Sequence, residues 1–301
     1  MKHLLSLCDA QNQVQELLDL AMRFKNSQME EKPLDNKTLA MIFQKSSTRT
    51  RVSFEVGMAQ LGGTALYLST NDLQIGRGEP ISDTAKAMSR YVDGIMIRAL
   101  KHEDVVELAE NSTVPVINGL TDLEHPCQAL ADMQTIKEHK GDFKGKLVFV
   151  GDGNNVCNSL ILISAILGMD MAVACPQGYE PNIKILKKAH ILASRSGAQI
   201  EVTSDIKAAL KNADVVYTDV WVSMGDEEEE EKRMREFMPF QVNQNLMALA
   251  NDDAIFMHCL PAIRGQETIA EVIDGPQSVV WDQAENRLHA QKAVMYYLMK
   301  D

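Results

Sequence analysis

The sequence predicts an α/β protein of two domains, each a parallel sheet flanked by helices in a doubly wound arrangement. Three observations lead there. Short apolar runs alternate with helical segments along the chain, the pattern of parallel sheets covered by helices. That alternation restarts after a long helical stretch at 126–141. The 301 residues suffice for two domains of about 150 residues each.

In order, residues 9–26 carry Val14, Leu17, Leu18, Ala21 and Met22 at helical spacing, with Asp9 available as a cap. "TLAMIF" (38–43) has the apolar content of a strand buried on both faces. "TRVSFEVGMAQLGG" continues as a helix ended by glycine. "TALYLST" (64–70), "GIMIRA" (94–99) and "VPVINGL" (114–120) read as strands, separated by helices in "DTAKAMSRYV" (83–92) and "DVVELAENS". "PCQALADMQTIKEHKG" reads as a connecting helix, and "KLVFVGD" (146–152) is the strongest strand. A helix over 156–168, "MAVACP", a helix over 183–196, "QIEVTS", "IKAALKNA", "DVVYTDVW", "IFMHCLP" and "SVVWDQA" continue the alternation. The boundaries are placed at 1–133 and 134–287, with the helix 288–301 packing back on the first domain. "DEEEEEKRMREF" (226–237) reads as a solvated helix face with acids near its N-terminus.

The formal net charge is −12, from 30 basic and 42 acidic residues. Such a balance argues against nucleic acid or an anionic membrane as the main partner. An anionic substrate therefore needs a local cluster of positive charge. The apolar runs are too short for a bilayer, and the N-terminus turns polar too early for a secretory signal. Cys8, Cys127, Cys157, Cys175 and Cys259 are scattered without CxxC spacing, so neither a disulfide framework nor a zinc site is expected. The expected compartment is the cytoplasm.

Ligands of open α/β sheets gather beyond the carboxyl ends of strands, and polar motifs occur there. "SSTRTR" (46–51) joins a strand to a helix. First-turn amides lack intrahelical partners and carry the positive end of the dipole. The hydroxyls of Ser47, Thr48 and Thr50 add donors, and Arg49 offers a fork that grips phosphate oxygens. Arg98 closes "GIMIRA", while His125 and Gln128 follow "VPVINGL" in "HPCQ". These three donors fall at the same sheet edge. In the second half, "GDGNNVCNSL" (151–160) has Val156 where a dinucleotide turn needs its third glycine, and no acid closes "MAVACP". A tight turn exposing Asn155 fits better than a nicotinamide site. Asp219 stands at a strand end in "DVWVSMGD", Cys259 in "MHCLP", and Arg287 in "AENRLHAQKA".

In that order, "STRTR", "HPCQ", "DVWVSMG" and "HCLP" resemble the aspartate/ornithine carbamoyltransferase superfamily, and within it the ornithine branch. The motifs run from residue 47 to residue 287. The resemblance implies transfer of a carbamoyl group from carbamoyl phosphate to the δ-amine of L-ornithine. It makes 1–133 the carbamoyl phosphate domain and 134–287 the ornithine domain. Ser47, Thr48, Arg49 and Thr50 would hold the phosphate, and Arg98, His125 and Gln128 would reach the carbamoyl end. Gln74, in "DLQIGRGE", would contact carbamoyl phosphate in a neighbouring subunit of a homotrimer. Asn155, Asp219, Ser223 and Met224 would bind ornithine, with Cys259, Leu260 and Arg287 closing the site in the cleft between the domains. Arg98, His125, Asp219 and Cys259 are the expected catalytic set, acting through a tetrahedral intermediate. No metal, no other cofactor and no covalent enzyme intermediate is required. Domain closure would remove water that hydrolyses carbamoyl phosphate. Gln44 stands where relatives often have Glu, and Ile263 where His is common after "HCLPA". Nothing is carried over at those two positions.

Overall fold

The computed structural model describes residues 1–28, 32–222 and 229–300. The chain divides into two units, Met1–Gln134 with Glu285–Asp301, and Thr135–Ala284. Both divisions fall inside helices, α5 (Pro126–Lys140) and α12 (Val280–Met299). Among the described residues, no helix is long and apolar enough to cross a membrane.

The first unit builds its sheet from β1 (Thr38–Phe43), β2 (Thr64–Ser69), β3 (Gly94–Arg98) and β4 (Val116–Leu120). All pairings are parallel and the order is β2-β1-β3-β4. Between the strands run α2 (Thr48–Gln60), α3 (Ile81–Met88) and α4 (His102–Asn111), and α1 (Val14–Lys25) precedes β1. One face of the sheet presents Ala40, Ile42, Ile95 and Ile97 to Ala85 of α3 and to Val105, Leu108 and Ala109 of α4. The alternate residues Leu39, Met41 and Phe43 are buried as well. That two-sided burial explains why β1 reads as a continuous apolar run rather than an alternating one. On α2, a Cβ at Gly57 would sit 2.8 Å from the Met295 side chain of α12, so glycine is what permits these helices to approach. Phe24 of α1 meets Tyr296 edge-on, with ring centroids 5.6 Å apart.

The second unit repeats the plan with β5 (Lys146–Val150), β6 (Asp170–Ala174), β7 (Ile200–Thr203), β8 (Val215–Thr218) and β9 (Ile255–His258). These strands are parallel in the order β7-β6-β5-β8-β9. Its helices are α6 (Asn155–Leu167), α7 (Ile183–Ser196), α8 (Ile206–Leu210), α9 (Glu230–Phe237), α10 (Gln244–Met247) and α11 (Ala270–Ile273). Val148, Val150, Ala172, Ala174, Val216 and Phe256 pack with Leu210, Met247 and Ile273. α6 is buried from Val156 through Ala165, as its nearly unbroken apolar composition requires.

Each sheet reverses its winding beside its first strand. The carboxyl ends of β1 and β3 lie side by side, Phe43 against Arg98. In the second sheet Val150 faces Thr218, and Thr218 faces His258. Such switch points open a crevice where ligands sit. Residues that follow Phe43, Arg98, Val150, Thr218 and His258 are therefore the ones the topology exposes to chemistry.

Three local expectations are corrected. Asp9 does not cap α1. It completes a capping box around the 3-10 turn Leu7–Ala10, whose N-cap is Ser6, and its Oδ2 accepts from the amides of Leu5 and Ser6 at 2.9 Å each. "SVVWDQA" is not a strand. Ser278 makes one isolated bridge to Phe256, and Val280 already opens α12. The three apolar residues Val279, Val280 and Trp281 carry no periodicity that separates the two states. The acidic run is not wholly a solvated face either. Arg233 of α9 is buried, with Nη1 donating to Asp152 Oδ2 at 2.7 Å and to the Trp221 carbonyl at 3.0 Å.

Gln44, immediately after β1, ties three elements together. Its amide N–H donates to the Arg98 carbonyl at 2.9 Å. Its Oε1 accepts from Leu100 N at 2.7 Å, and its Nε2 donates to Asp104 Oδ2 at 2.8 Å. A glutamate could still accept from Leu100, but would set a carboxylate oxygen against Asp104. Gln44→Glu is therefore expected to lower the unfolding free energy by roughly 1–2 kcal/mol at neutral pH. Adding Asp104→Asn, which restores a donor, should recover most of the loss. Urea melts of the single and double variants measure this, and an unchanged midpoint for Gln44→Glu would refute the assignment.

Candidate active site

At the first switch point, Ser47 is extended (φ −158°, ψ 117°) and caps α2, its Oγ accepting from Thr50 N at 3.3 Å. Its hydroxyl also donates to Thr50 Oγ1 at 3.2 Å. No acid occupies the first turn of α2, so the dipole there is not offset by a side chain. Thr48 is exposed and Arg49 half-buried. Arg51 points elsewhere, pairing with Glu55 at 3.0 Å and lying 3.9 Å over the Tyr67 ring.

Arg98 ends β3 and is 5% exposed. Its Nε is buried with no hydrogen-bond partner, and it forms no ion pair among the described residues. Burial first, then the nearby guanidinium groups of Arg287 and Arg49, lower its pKa to about 10. His125, immediately before α5, is buried. Desolvation, then Arg287 and Arg98, hold its pKa well below 6.5, so its imidazole is neutral at neutral pH. Arg287 of α12 donates from Nη1 to Gln128 Oε1 at 2.6 Å and from Nη2 to Thr50 Oγ1 at 3.4 Å. Gln128 in turn donates from Nε2 to Asp132 Oδ1 at 2.8 Å. The carboxylate of Asp132 is thus held one amide away from Arg287. Cys127, between these groups in sequence, is inert: burial pushes its thiol up to about 12. Gln74 is exposed on the 3-10 turn Gln74–Arg77.

The second unit carries a different cluster. Asp219, just past β8, is buried. Its Oδ1 accepts from Val220 N at 2.8 Å and from Cys259 Sγ at 3.0 Å, and its Oδ2 accepts from Asn154 Nδ2 at 2.8 Å. The residue that reaches Asp219 is Asn154, one position before the Asn155 expected from the sequence. It caps α6, its Oδ1 accepting from Val156 N and Cys157 N at 3.0 and 3.1 Å. An asparagine just before an apolar helix is a recognisable cap, but its second bond, to Asp219, has no sequence signal. Asn155 opens α6 and is partly exposed. Ser223 and Met224 lie outside the described residues. Leu260 adopts a left-handed backbone, φ 57°.

Donor atoms of Asp219, His258 and Cys259 lie within 4.8 Å of one another. His258 is nevertheless committed at both nitrogens. Nδ1 accepts from Leu260 N at 2.8 Å, and Nε2 faces Glu267 Oε1 at 3.1 Å. The set fits a hydrogen-bond network rather than a cation, which would need one of those lone pairs. Ile263 enters the network by its backbone, donating to Glu267 Oε1 at 2.6 Å.

The first cluster is three guanidinium groups and a neutral imidazole at a helix N-terminus, and it suits an oxyanion with an adjoining carbonyl. The second is a fixed carboxylate flanked by an amide and a thiol, and it suits a cationic or amine-bearing ligand.

Comparison with known proteins agrees with this division. Residues 2–138 match the carbamoyl-P binding domain of aspartate/ornithine carbamoyltransferase, and residues 144–298 match its Asp/Orn binding domain. A protein of Methanobrevibacter smithii named ornithine carbamoyltransferase is 68% identical over 301 residues, covering 100% of both chains. One of Methanothermobacter thermautotrophicus with the same name is also 68% identical over the full length of both. The solved ornithine carbamoyltransferase of Pyrococcus furiosus superposes with a TM-score of 0.96 at 57% identity, covering 99% of this chain and 97% of the other. That of Gloeobacter violaceus gives 0.91 at 44% identity, covering 99% of each. The chain belongs to the aspartate/ornithine carbamoyltransferase family.

Proposed function

We propose that the protein transfers the carbamoyl group of carbamoyl phosphate to the δ-amine of L-ornithine, giving L-citrulline and phosphate. The observation that carries the reading is the cationic cluster of buried Arg98 and Arg287, with half-buried Arg49, beside a neutral His125. A buried guanidinium without a carboxylate is costly unless an anion completes it. The names of the full-length relatives support the choice of substrates.

In this reading the first-turn amides of α2, the hydroxyls of Ser47, Thr48 and Thr50, and Arg49 hold the phosphate. Arg98 and His125 donate to the carbamoyl oxygen, and their bonds strengthen as negative charge develops on it. Neutral His125 serves as a hydrogen-bond donor rather than as an acid. Arg287, held by Gln128 and Thr50, adds fixed positive charge. Asp219 binds the α-ammonium of ornithine, with Asn155, Ser223 and Met224 on the same ligand and Cys259 and Leu260 beside it. The free δ-amine then attacks the carbonyl carbon. A C–N bond forms, the tetrahedral intermediate collapses with loss of the C–O bond to phosphate, and the amine's proton leaves with the phosphate. One relative, from Pyrococcus furiosus, is named anabolic, which favours the citrulline-forming direction and a role in arginine formation; the proposed compartment is the cytoplasm. Gln74, exposed on its turn, completes the phosphate site of a neighbouring copy in a homotrimer.

The decisive assay measures citrulline formation from carbamoyl phosphate against ornithine, N-acetylornithine, putrescine, lysine and aspartate. Ornithine should be turned over with kcat/KM at least a hundredfold above the others. Comparable turnover of putrescine would show that nothing in the site reads the α-carbon substituents, and faster use of aspartate would move the chain to the other branch.

Arg98 supplies a pH signature. It is charged below about 10 and loses its proton as pH rises through that value, so affinity for carbamoyl phosphate in the unliganded protein is present at neutral pH and falls above about 10. His125 is already neutral at pH 7 and should add no inflection between pH 6 and 7. Calorimetric titration across pH 6–10.5 checks both, and a binding step centred near 6.5 would contradict the neutral imidazole.

Sharing of the site is tested by subunit exchange. Gln74→Ala and Arg98→Ala should each be nearly inactive, while mixed oligomers regain part of the native rate, because one kind of site then carries neither substitution. Mixed oligomers that form and stay inactive would place the whole site in one chain.

A further inference from the structure

Glu267 and His258 form a pair with no exposed side-chain surface, 3.1 Å from Nε2 to Oε1. The proposed reaction gives them no part, yet burying such a pair is costly unless it holds something in place. Two backbone donors fix its protonation. Leu260 N donates to His258 Nδ1 at 2.8 Å, so Nδ1 carries a lone pair. Ile263 N donates to Glu267 Oε1 at 2.6 Å, so that oxygen is an acceptor. His258 must then carry its proton on Nε2 and give it to Glu267. The imidazole is neutral, in one tautomer, and accepts from the backbone of the turn that it precedes.

That turn is where Leu260 takes φ 57°, a left-handed conformation that a branched side chain adopts only when its surroundings hold it there. Cys259 lies between His258 and Leu260, with its Sγ donating to Asp219 Oδ1 at 3.0 Å. The pair is anchored in turn. Val242 N donates to the Glu267 carbonyl at 2.9 Å, and His258 N donates to Gln283 Oε1 at 2.9 Å. Gln283 Nε2 reaches the Tyr217 hydroxyl at 3.0 Å. Glu267 thus grips the 259–263 turn twice, at Leu260 through the imidazole and at Ile263 directly.

We infer that Glu267 is a positioning residue for the amino-acid half of the site: by fixing the His258 tautomer it holds the Leu260 turn that sets the Cys259 thiol against Asp219. The inference rests on the reading that Asp219 and Cys259 face ornithine. Its consequence is selective. Loss of the Glu267 acceptor disturbs the amino-acid side and leaves the Arg98–His125–Arg287 cluster as it is.

Two variants separate this from a merely structural role. Glu267→Leu removes both acceptor bonds, whereas Glu267→Gln keeps a carbonyl oxygen that can accept from Ile263 and His258. Glu267→Leu should raise the KM for ornithine at least tenfold while the KM for carbamoyl phosphate stays within twofold, and Glu267→Gln should remain within threefold of the native protein on both. Nitrogen-15 spectra of the imidazoles should show His258 protonated at Nε2 in the native protein and in Glu267→Gln. Alkylation of Cys259 by iodoacetamide, followed by peptide mass, should be at least fivefold faster in Glu267→Leu. Unchanged ornithine kinetics in Glu267→Leu, an equal loss on carbamoyl phosphate, or a native His258 protonated at Nδ1 would each overturn the inference. If Glu267→Leu does not fold, the native tautomer and the kinetics of Glu267→Gln decide it. If the native chain makes no citrulline, the proposed function fails, and the tautomer and the alkylation rate still judge the role of Glu267.

Discussion

Arg98 ends a central strand with its guanidinium buried, next to two other guanidinium groups and without a carboxylate bonded to it among the described residues. Like charges repel strongly at low dielectric, so the cluster exists only because the backbone around it is held firmly. The Arg98 carbonyl is tied to Gln44, and Gln44 to Leu100 and Asp104. Arg287 is tied to Gln128 and Thr50, and Gln128 to Asp132. The Arg287 guanidinium bonds an amide and a hydroxyl, and the Arg98 backbone bonds the Gln44 amide. A direct ion pair would stabilise the empty protein and compete with an incoming anion. The amide relay orients the Arg287 side chain without placing an acid directly on Nη1.

The same logic runs in the opposite sense at the second switch point. There the fixed charge is Asp219, and three donors hold it: the Val220 amide, the Asn154 side chain and the Cys259 thiol. None is a cation, so the carboxylate is oriented but not neutralised. Two sheets of similar winding thus present sites of opposite sign, each kept from pairing internally. That division suits a reaction between an acyl phosphate and an amino acid; Asp219 and Cys259 stand one position past their strands, whereas Arg98 ends its own strand and Arg287 comes from a helix.

Much of this was legible in the sequence, for physical reasons that differ by element. β1 was read at Thr38–Phe43 because a strand covered on both faces is an unbroken apolar run with sharp polar ends. Parallel winding followed from alternation alone, and winding placed Arg98, His125, Asp219 and Cys259 at strand ends. What escaped is what depends on long-range partners. Asn154 looks like a helix cap and is one, but its bond to Asp219 spans 65 residues. Arg233 sits in an acidic run yet turns inward to Asp152. Val280 heads a helix although its neighbourhood reads as a strand, since "SVVW" is too short for either period to show. Glu267 has no local pattern at all, because its importance lies in an imidazole nine residues earlier in the chain.

Cys259 brings these strands together. A thiol in a polar crevice invites a nucleophilic reading, and sequence alone offers no answer. In the structure its Sγ is a donor, 3.0 Å from a carboxylate oxygen. A thiolate there would face the Asp219 carboxylate at the same distance. Reactive cysteines sit instead in electropositive surroundings, and the group that Cys259 bonds is a carboxylate. In the proposed reaction the thiol is therefore an orienting donor, and the nucleophile is the amine itself. That assignment makes the turn geometry after β9 decisive, since a donor acts only where it is aimed. The left-handed Leu260, the single tautomer of His258 and the buried carboxylate of Glu267 are the parts of the fold that aim it.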